Sequence, residues 1–417
     1  MARRDVSKLV FINRFYYPDL SATSQMLTDL AEHLAATGHA VTVVCSGMSY
    51  EDPAVRFAPR ETVRGVTVLR VATTRFGRAR LPGRAMDYLS FYAAVFWRLL
   101  FVLKRGDLAI AKTDPPLVSL VAALAARLKG ARLVNWLQDV FPEVGEALGV
   151  RMLGGWPGRC IQILRNASLN AAVANVVLGQ RMARYLGARV RVPARLHVIP
   201  NWTDDNGIVP LPREPNPLRQ AWGWTDKFTV VYSGNLGRAH ETGTMLEAAR
   251  ALAGDARIRF GFIGGGARLG EVRAFVALHG LCNIDLLPYQ SRQHLAHSLG
   301  AADLHLVSLL PTVEGYIVPS KFYGIAAAGR PIAFVGDPAG EIGQLVRRFD
   351  CGAVYRPGDG AGLALFILAL MEQPQRADRL GANARAALES HFSQARALGL
   401  WNELLTGLSR DEMTNLP

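Results

Sequence analysis

Cysteine is scarce: four in 417 residues, at Cys45, Cys160, Cys282 and Cys351, with no CxxC pair among them. That excludes a disulfide-stapled scaffold and a cysteine zinc site, and leaves reduced intracellular thiols as the default. Acidic residues are short of basic ones, 34 against 47, for a net charge of +13. Such an excess calls for an anionic partner: nucleic acid, an anionic membrane surface or phosphorylated small molecules. Long apolar runs are missing as well. No window reaches about 18 uncharged apolar residues, and the nearest approach, Tyr88 to Leu103, is interrupted by Arg98. The N-terminus, MARRDVSKLVFINRFYYPD, has no continuous apolar stretch of signal-peptide length. Neither a membrane span nor a leader is therefore expected. There is no Walker A pattern, and the turn after the first strand, Asn13 to Asp19, lacks GxGxxG. This argues against a dinucleotide oxidoreductase. No helix-turn-helix or interleaved basic and aromatic platform is legible, so nucleic acid is not an expected partner.

What is present is a repeated alternation of strand and helix signals. Half of the residues are hydrophobic and 19% are charged, enough for large buried cores, and the length suits about two to three domains. Lys8 to Asn13, Val41 to Cys45, Val66 to Val71, Leu108 to Ala111 and Leu133 to Leu137 read as strands. Helical spacing over Ser24 to Thr37, Asp87 to Lys104 and Leu117 to Leu128 separates them. The rhythm breaks in IPNWTDDNGIVPLPREPNPLRQ, with five prolines, which has the composition of a linker. It restarts with strands at Phe228 to Tyr232, Arg259 to Ile263, Leu304 to Ser308 and Pro331 to Val335. The expected fold class is α/β, with two Rossmann-like, doubly wound domains facing a cleft. Residues 1–205 form the first, 206–390 the second, and 391–417 a C-terminal helix and tail crossing back to the first.

Ligands of doubly wound sheets bind beyond the carboxyl ends of the strands. Two glycine-bearing turns lie there in the second half, Ser233-Gly234-Asn235-Leu236-Gly237 and Gly264-Gly265-Gly266. They are either phosphate-binding turns, where glycine lets main-chain N–H groups close on the anion, or ordinary strand–helix connections. The stretch Val313 to Pro331 leads from a polar loop into a small-residue helix and stops at Gly329-Arg330-Pro331. Ser320 is placed as its N-cap. Lys321 runs against the helix dipole, which fits a lysine paired with a bound anion or one simply solvated.

Taken together, the motifs resemble those of glycosyltransferase family 4 of the GT-B fold, and most of all the bacterial transferases of capsule, O-antigen and colanic-acid-type polysaccharides. The matching pieces are Tyr17-Pro18-Asp19, Trp136 to Glu143 (WLQDVFPE), Ile199-Pro200-Asn201-Trp202, Tyr232 to Gly237 (YSGNLG), and Val318 to Tyr323 (VPSKFY) through Ala328-Gly329-Arg330-Pro331. They are collinear and span essentially the whole chain. The resemblance implies a retaining sugar transfer from a nucleotide-diphospho-sugar, most simply a UDP-sugar, with the donor in the second domain and the acceptor in the first. It also implies no metal and no cofactor, and no DxD occurs in the sequence. Positive charge on the protein must then stabilise the leaving diphosphate. The residues implied for the donor are Lys321, Arg238, Gly234, Asn235, Ser320 and Gly265.

The chain departs from the family pattern at three places. Where relatives often carry a lysine after the SGNLG turn, this chain has His240 and Glu241. Of the family's two glutamates eight residues apart, the second falls on Phe322 if counted from Glu314, and the usual slot after the aromatic is Gly324. Glu341 either replaces that carboxylate at the donor or is a helix-start acid. In place of a His-Asp pair stand Gln138 and Asp139, followed by Glu143. Gln138 suits a sugar hydroxyl but is no base. Asp139 and Glu143 are candidates to orient or deprotonate the acceptor hydroxyl, and Glu143 also suits a helix start.

Tyr17 and Asp19 complete the expected acceptor side. The loop RFGRARLPGR, with Arg75, Arg78, Arg80 and Arg84, precedes an aromatic-rich apolar helix. That pairing suits either docking on an anionic membrane or, for the helix, packing on the sheet. The acceptor implied by the resemblance is a polyprenyl-diphosphate-linked saccharide, and the expected place is cytoplasmic, on the inner face of the membrane. A nucleotide-sugar epimerase of the same fold is the alternative reading.

Overall fold

The computed structural model describes residues 7–19, 21–49, 55–77 and 81–414. The chain divides into two compact units. The second comprises Ala147–Gly149 and Asn201–Arg396, and the first the remainder of the described chain, including its end from Ala397.

The first unit is built on strands β1 (Leu9–Ile12), β2 (Val41–Ser46), β3 (Arg60–Val63), β4 (Val66–Val71), β5 (Leu108–Ala111), β6 (Arg132–Trp136), β7 (Ala174–Val177) and β8 (Leu196–Val198). Their order is β3-β4-β2-β1-β5-β6-β7-β8, parallel except for β3 against β4. The continuous apolar runs LVFI and LAIA are buried on both faces, as strands sandwiched between helix layers must be. The second unit carries β9 (Phe228–Ser233), β10 (Ile258–Ile263), β11 (Ile284–Leu287), β12 (Leu304–Ser308), β13 (Ile332–Val335) and β14 (Gly352–Tyr355), in the order β11-β10-β9-β12-β13-β14, all parallel. Strands β3, β7, β8, β11 and β14 are absent from the sequence reading. They are short, and β3, β8 and β14 have no fully buried position, so their hydrophobic signal is weak.

Each sheet has one point where the strand order reverses: between β1 and β5 in the first unit, between β9 and β12 in the second. Loops leaving adjacent strands there diverge to opposite faces and open a crevice. Register sharpens this. Ile12 pairs with Ala111 across the first reversal, and His305 with Val231 across the second.

The boundary falls after Pro200 rather than after 205, and the second unit runs to Arg396 rather than 390. The proline-rich segment is pinned to the second unit. Arg385 donates to the carbonyls of Asp205 and Ile208, and Arg330 to that of Leu211. Asn216 caps the helix Pro217–Ala221 by accepting from the N–H groups of Leu218 and Arg219. The last helix is Gln394–Thr414, not one beginning at His391. Its Trp401 and Leu405 are fully buried, and Trp401 meets Trp136 at 4.7 Å between ring centroids.

The apolar helix of the first unit is longer than expected, Leu81–Val102. By length and composition Pro82–Val102 is able to cross a membrane, which the sequence reading did not expect. One face, Phe91, Val95 and Leu99, is nevertheless core against β1, β2 and β5. The opposite face holds Leu89, Trp97 and Phe101, all exposed.

Candidate functional site

In the second unit the residues converge at the strand-order reversal. Gly234 (φ +112°) directly follows β9 and Gly264 (φ +127°) directly follows β10. A Cβ on Gly264 would stand 2.5 Å from the Gly234 carbonyl oxygen, and one on Gly266 would stand 2.4 Å from that of Leu236. Only glycine permits both the left-handed backbone and this approach. The two turns are tied by Leu236 N–H to Gly265 O at 2.6 Å and by Arg268 N–H to Leu236 O at 3.0 Å. Tyr232, Phe262 and Leu269 pack closely under the two turns.

Lys321 comes from the other side of the reversal, on the segment after β12. Its Nζ donates to Asn235 O at 3.1 Å, lies 3.4 Å from His240 Nε2, and stands 5.0 Å from the centre of the Tyr232 ring. Its Cε is 3.1 Å from where a Gly234 Cβ would be. Burial lowers its pKa to about 8. The Tyr232 hydroxyl donates to the same Asn235 carbonyl at 3.0 Å. His240 Nδ1 is 2.7 Å from Ser308 O. Burial and then the Lys321 charge lower the imidazole pKa to about 4, so it is neutral.

The structure thus brings Gly234, Asn235, Gly265 and Lys321 together. Arg238 follows on the same turn, exposed, without an ion pair among the described residues. Ser320 does not cap its helix. Its backbone is already helical (φ −71°, ψ −15°), whereas a capping hydroxyl needs an extended residue. Glu341 does begin a helix, Glu341–Arg348. The carboxylate satisfying that helix start is Glu314, which accepts the Glu341 N–H at 2.8 Å, while Gly340 leaves it room. Glu314, Tyr232 and His240 were not among the sequence-predicted site residues. Their signal was positional: each follows or ends a strand at the reversal.

In the first unit Asp139 and Gln138 sit after β6, beside Thr113 after β5. Gln138 N–H donates to Thr113 Oγ1 at 3.2 Å. Burial raises the Asp139 pKa to about 6 against the opposing Thr113 hydrogen bond. Thr113, Asn135, Leu137, Asp139 and Phe141 line a recess of about 390 Å³, part of it open to solvent. Neighbouring Lys112, also missed from sequence, is fully buried, with Nζ 3.6 Å from the centre of the Trp136 ring and donating to Thr23 O at 3.0 Å. Burial holds its pKa well below the ordinary value.

Glu143 is not an open acid. It starts the helix Glu143–Ala147, pairs with buried Arg165 at 2.5 Å and accepts from the Tyr185 hydroxyl at 2.8 Å. Breaking such a buried pair is strongly destabilising, so its place is structural. Asp19 is buried and accepts the Ser21 N–H at 2.9 Å, fixing the entry to the helix Ala22–Ala36, while Tyr17 is partly exposed under Arg64. Arg75 and Arg84 are exposed, and Arg84 donates to the Tyr88 hydroxyl at 2.9 Å. Arg78 and Arg80 lie outside the described residues.

A model of a glycosyl transferase 4-like domain matches residues 21–202. A Pseudomonas aeruginosa protein named glycosyltransferase WbjE is 30% identical over 311 residues, which is 72% of this chain and 76% of the relative. This chain belongs to the bacterial family 4 glycosyltransferases. The Escherichia coli protein named colanic acid biosynthesis glycosyl transferase WcaI is 26% identical over 387 residues, 89% of this chain and 90% of the relative. Among solved structures, HepE of Anabaena in complex with UDP-glucose superposes with a TM-score of 0.71 at 18% identity, over 96% of this chain and 99% of that one. The family 4 chain accordingly has the GT-B fold and is a glycosyltransferase of the polysaccharide-biosynthesis type. The epimerase alternative finds no support in these relatives.

Proposed function

We propose that the protein transfers a sugar, with retention, from a nucleotide-diphospho-sugar to a polyprenyl-diphosphate-linked glycan during cell-surface polysaccharide synthesis. The observation that carries the donor half is Lys321: a half-buried ammonium set against two glycine turns, with no carboxylate among its contacts. A cation so placed is stabilised by an anion that arrives with the substrate. The donor's diphosphate fits, and the Anabaena neighbour was solved with UDP-glucose; a UDP-sugar is the donor proposed here. Chemistry of this kind breaks the bond between the anomeric carbon and the diphosphate oxygen and forms one to the acceptor oxygen. Lys321 and Arg238 offset the charge that collects on the departing diphosphate. Asp139, whose pKa of about 6 leaves it mostly ionised at neutral pH, orients the acceptor hydroxyl or takes its proton. No metal is needed in this scheme, and the sequence has no DxD to hold one.

The acceptor half is supported by a surface of the first unit. The helix Leu81–Val102 packs against Val118–Lys129, which packs against Gly155–Ala171. Their outer sides expose Trp97, Phe101, Leu124, Leu128, Trp156 and Ile163. The three helices contain one acidic residue, Asp87, and it is buried, whereas Arg84, Arg98, Arg127 and Arg159 are exposed. An apolar face edged by bases and free of exposed acids suits an anionic bilayer, where lipid-linked acceptors reside. The enzyme of this proposal works on the cytoplasmic face of the membrane.

The test is transfer from a panel of UDP-sugars to a membrane lipid extract, with the wild type and Lys321→Ala compared. Loss of one charge-stabilising donor lowers kcat by about 10²–10³, and EDTA leaves transfer largely intact. A twofold effect of the substitution, or strict dependence on added Mg²⁺, overturns the scheme.

A further inference from the structure

Several arginines around the second sheet have carboxylate partners, while Arg330 donates to the main-chain carbonyls of Leu211 and Gly300. Arg219 meets Glu214 and Asp303, Arg259 meets Asp285, and Arg268 meets Glu271. Lys321 has instead the Asn235 carbonyl, the face of Tyr232 and the imidazole of His240. The imidazole's orientation is fixed from behind. Ser308 O, 2.7 Å from Nδ1, is a carbonyl and only accepts, so Nδ1 carries the hydrogen and donates it. Nε2 is then a lone pair, and it faces the ammonium at 3.4 Å. The Tyr232 ring packs edge-on against the imidazole at 5.7 Å and keeps it from swinging away. This is one of the three places where the sequence departs from its family, with histidine in the region of a usual lysine.

On the donor-site reading above, we infer that His240 is the positioning residue of Lys321: its Nε2 holds the ammonium in place, charged and without a counter-ion, until the donor's diphosphate takes over as its partner. A second lysine in this neighbourhood would repel the first. A neutral imidazole supplies an acceptor instead, at the cost of one fixed positive charge toward the diphosphate. The pair therefore depends on one proton, the one on Lys321.

Three elements bring ionisable groups to the pair. Tyr232 comes from β9, Lys321 from its own helix Lys321–Ala327, and Arg268, itself paired with Glu271, from the turn before the helix Leu269–His279. None of these places a carboxylate against Lys321. Its pKa of about 8 sets the alkaline limit of anion binding. Removing the Nε2 acceptor while keeping the site dry makes the ammonium harder to hold, and moves that limit to lower pH.

The experiment is calorimetric titration with UDP from pH 6.5 to 9.5 on the full chain, for wild type, His240→Leu, His240→Gln and Lys321→Ala, each first checked by thermal melting. Wild-type affinity is expected to fall above about pH 8. His240→Leu is expected to weaken binding at pH 7 by roughly tenfold, the worth of one charge-assisted hydrogen bond, and to shift the alkaline midpoint down by about one pH unit. His240→Gln, whose amide oxygen reaches toward Lys321, is expected to restore most of both. An unmoved midpoint in His240→Leu, or a glutamine variant as impaired as the leucine one, overturns the inference. Lys321→Ala reports on the donor site separately: wild-type UDP affinity in that variant overturns the donor reading itself, whereas lost affinity there with an unaffected His240→Leu removes only the role of His240.

Discussion

Asp139 illustrates how one buried carboxyl couples stability to chemistry. Its pKa rises from the ordinary 3.8 to about 6 on folding. The folded state therefore holds this proton more tightly than the unfolded chain does. The stabilisation is complete below pH 3.8 and is lost as pH rises through 6. Asp139→Asn removes the cost of the buried charge, and is expected to raise the melting temperature at pH 8 while leaving it nearly unchanged at pH 4. The same change abolishes the ionised group. Wild-type transfer is expected to fall as pH drops below about 6, and the asparagine variant to lose activity at every pH. A melting temperature that does not respond to the substitution at pH 8 contradicts the burial argument. An unaltered pH–rate profile contradicts the role.

The helix Leu81–Val102 works with two faces, and its substitutions separate them. Leu99 is fully buried in the core with Phe91 and Val95. Leu99→Ala is expected to cost about 2–5 kcal/mol, read from denaturant unfolding. Trp97 and Phe101 are 62% and 83% exposed, so the double change to serine leaves unfolding nearly untouched. Burying such a side chain is worth roughly 1.5–3 kcal/mol, and the pair is expected to lose at least about tenfold in pelleting with anionic vesicles. Equal pelleting of wild type and double variant refutes membrane docking through this face. Asp87 joins the basic loop to the helix by accepting from Thr74 Oγ1 and the N–H groups of Phe76 and Gly77.

At the scale of the molecule, the end of the chain completes the unit in which the chain begins. Trp401 is fully buried against Trp136, and Asn402 Oδ1 lies 2.9 Å from His39 Nε2. Trp401→Ala is expected to destabilise the first unit by about 3–5 kcal/mol. Differential scanning calorimetry on the full chain checks this, with the lost stability appearing in one part of the unfolding envelope. UDP affinity, which the donor proposal assigns to the second unit, is expected to stay within about twofold at 20 °C, a difference under roughly 0.5 kcal/mol. A variant that melts as the wild type does shows that the last helix contributes no such packing.

The sequence alone determined the fold class, because the strand runs LVFI and LAIA are apolar throughout and parallel strands covered on both faces need that pattern. It also determined the glycine turns and Lys321, since motif and spacing are local properties. Weakly apolar edge strands such as Arg60–Val63 and Leu196–Val198 were not legible, because their pairing comes from neighbours rather than from their own side chains. Tertiary structure alone decided which candidates are already paired and which line a recess. Glu143 and Asp139 are four residues apart with the same chemistry, yet one faces Arg165 and the other a recess with Thr113. Ser320 has a capping side chain in a backbone that has no use for it. His240 is oriented by Ser308, 68 residues away, whose carbonyl sets the tautomer. A carboxylate or an imidazole takes its properties from the dielectric and partners around it, and the chain supplies those only once it is folded.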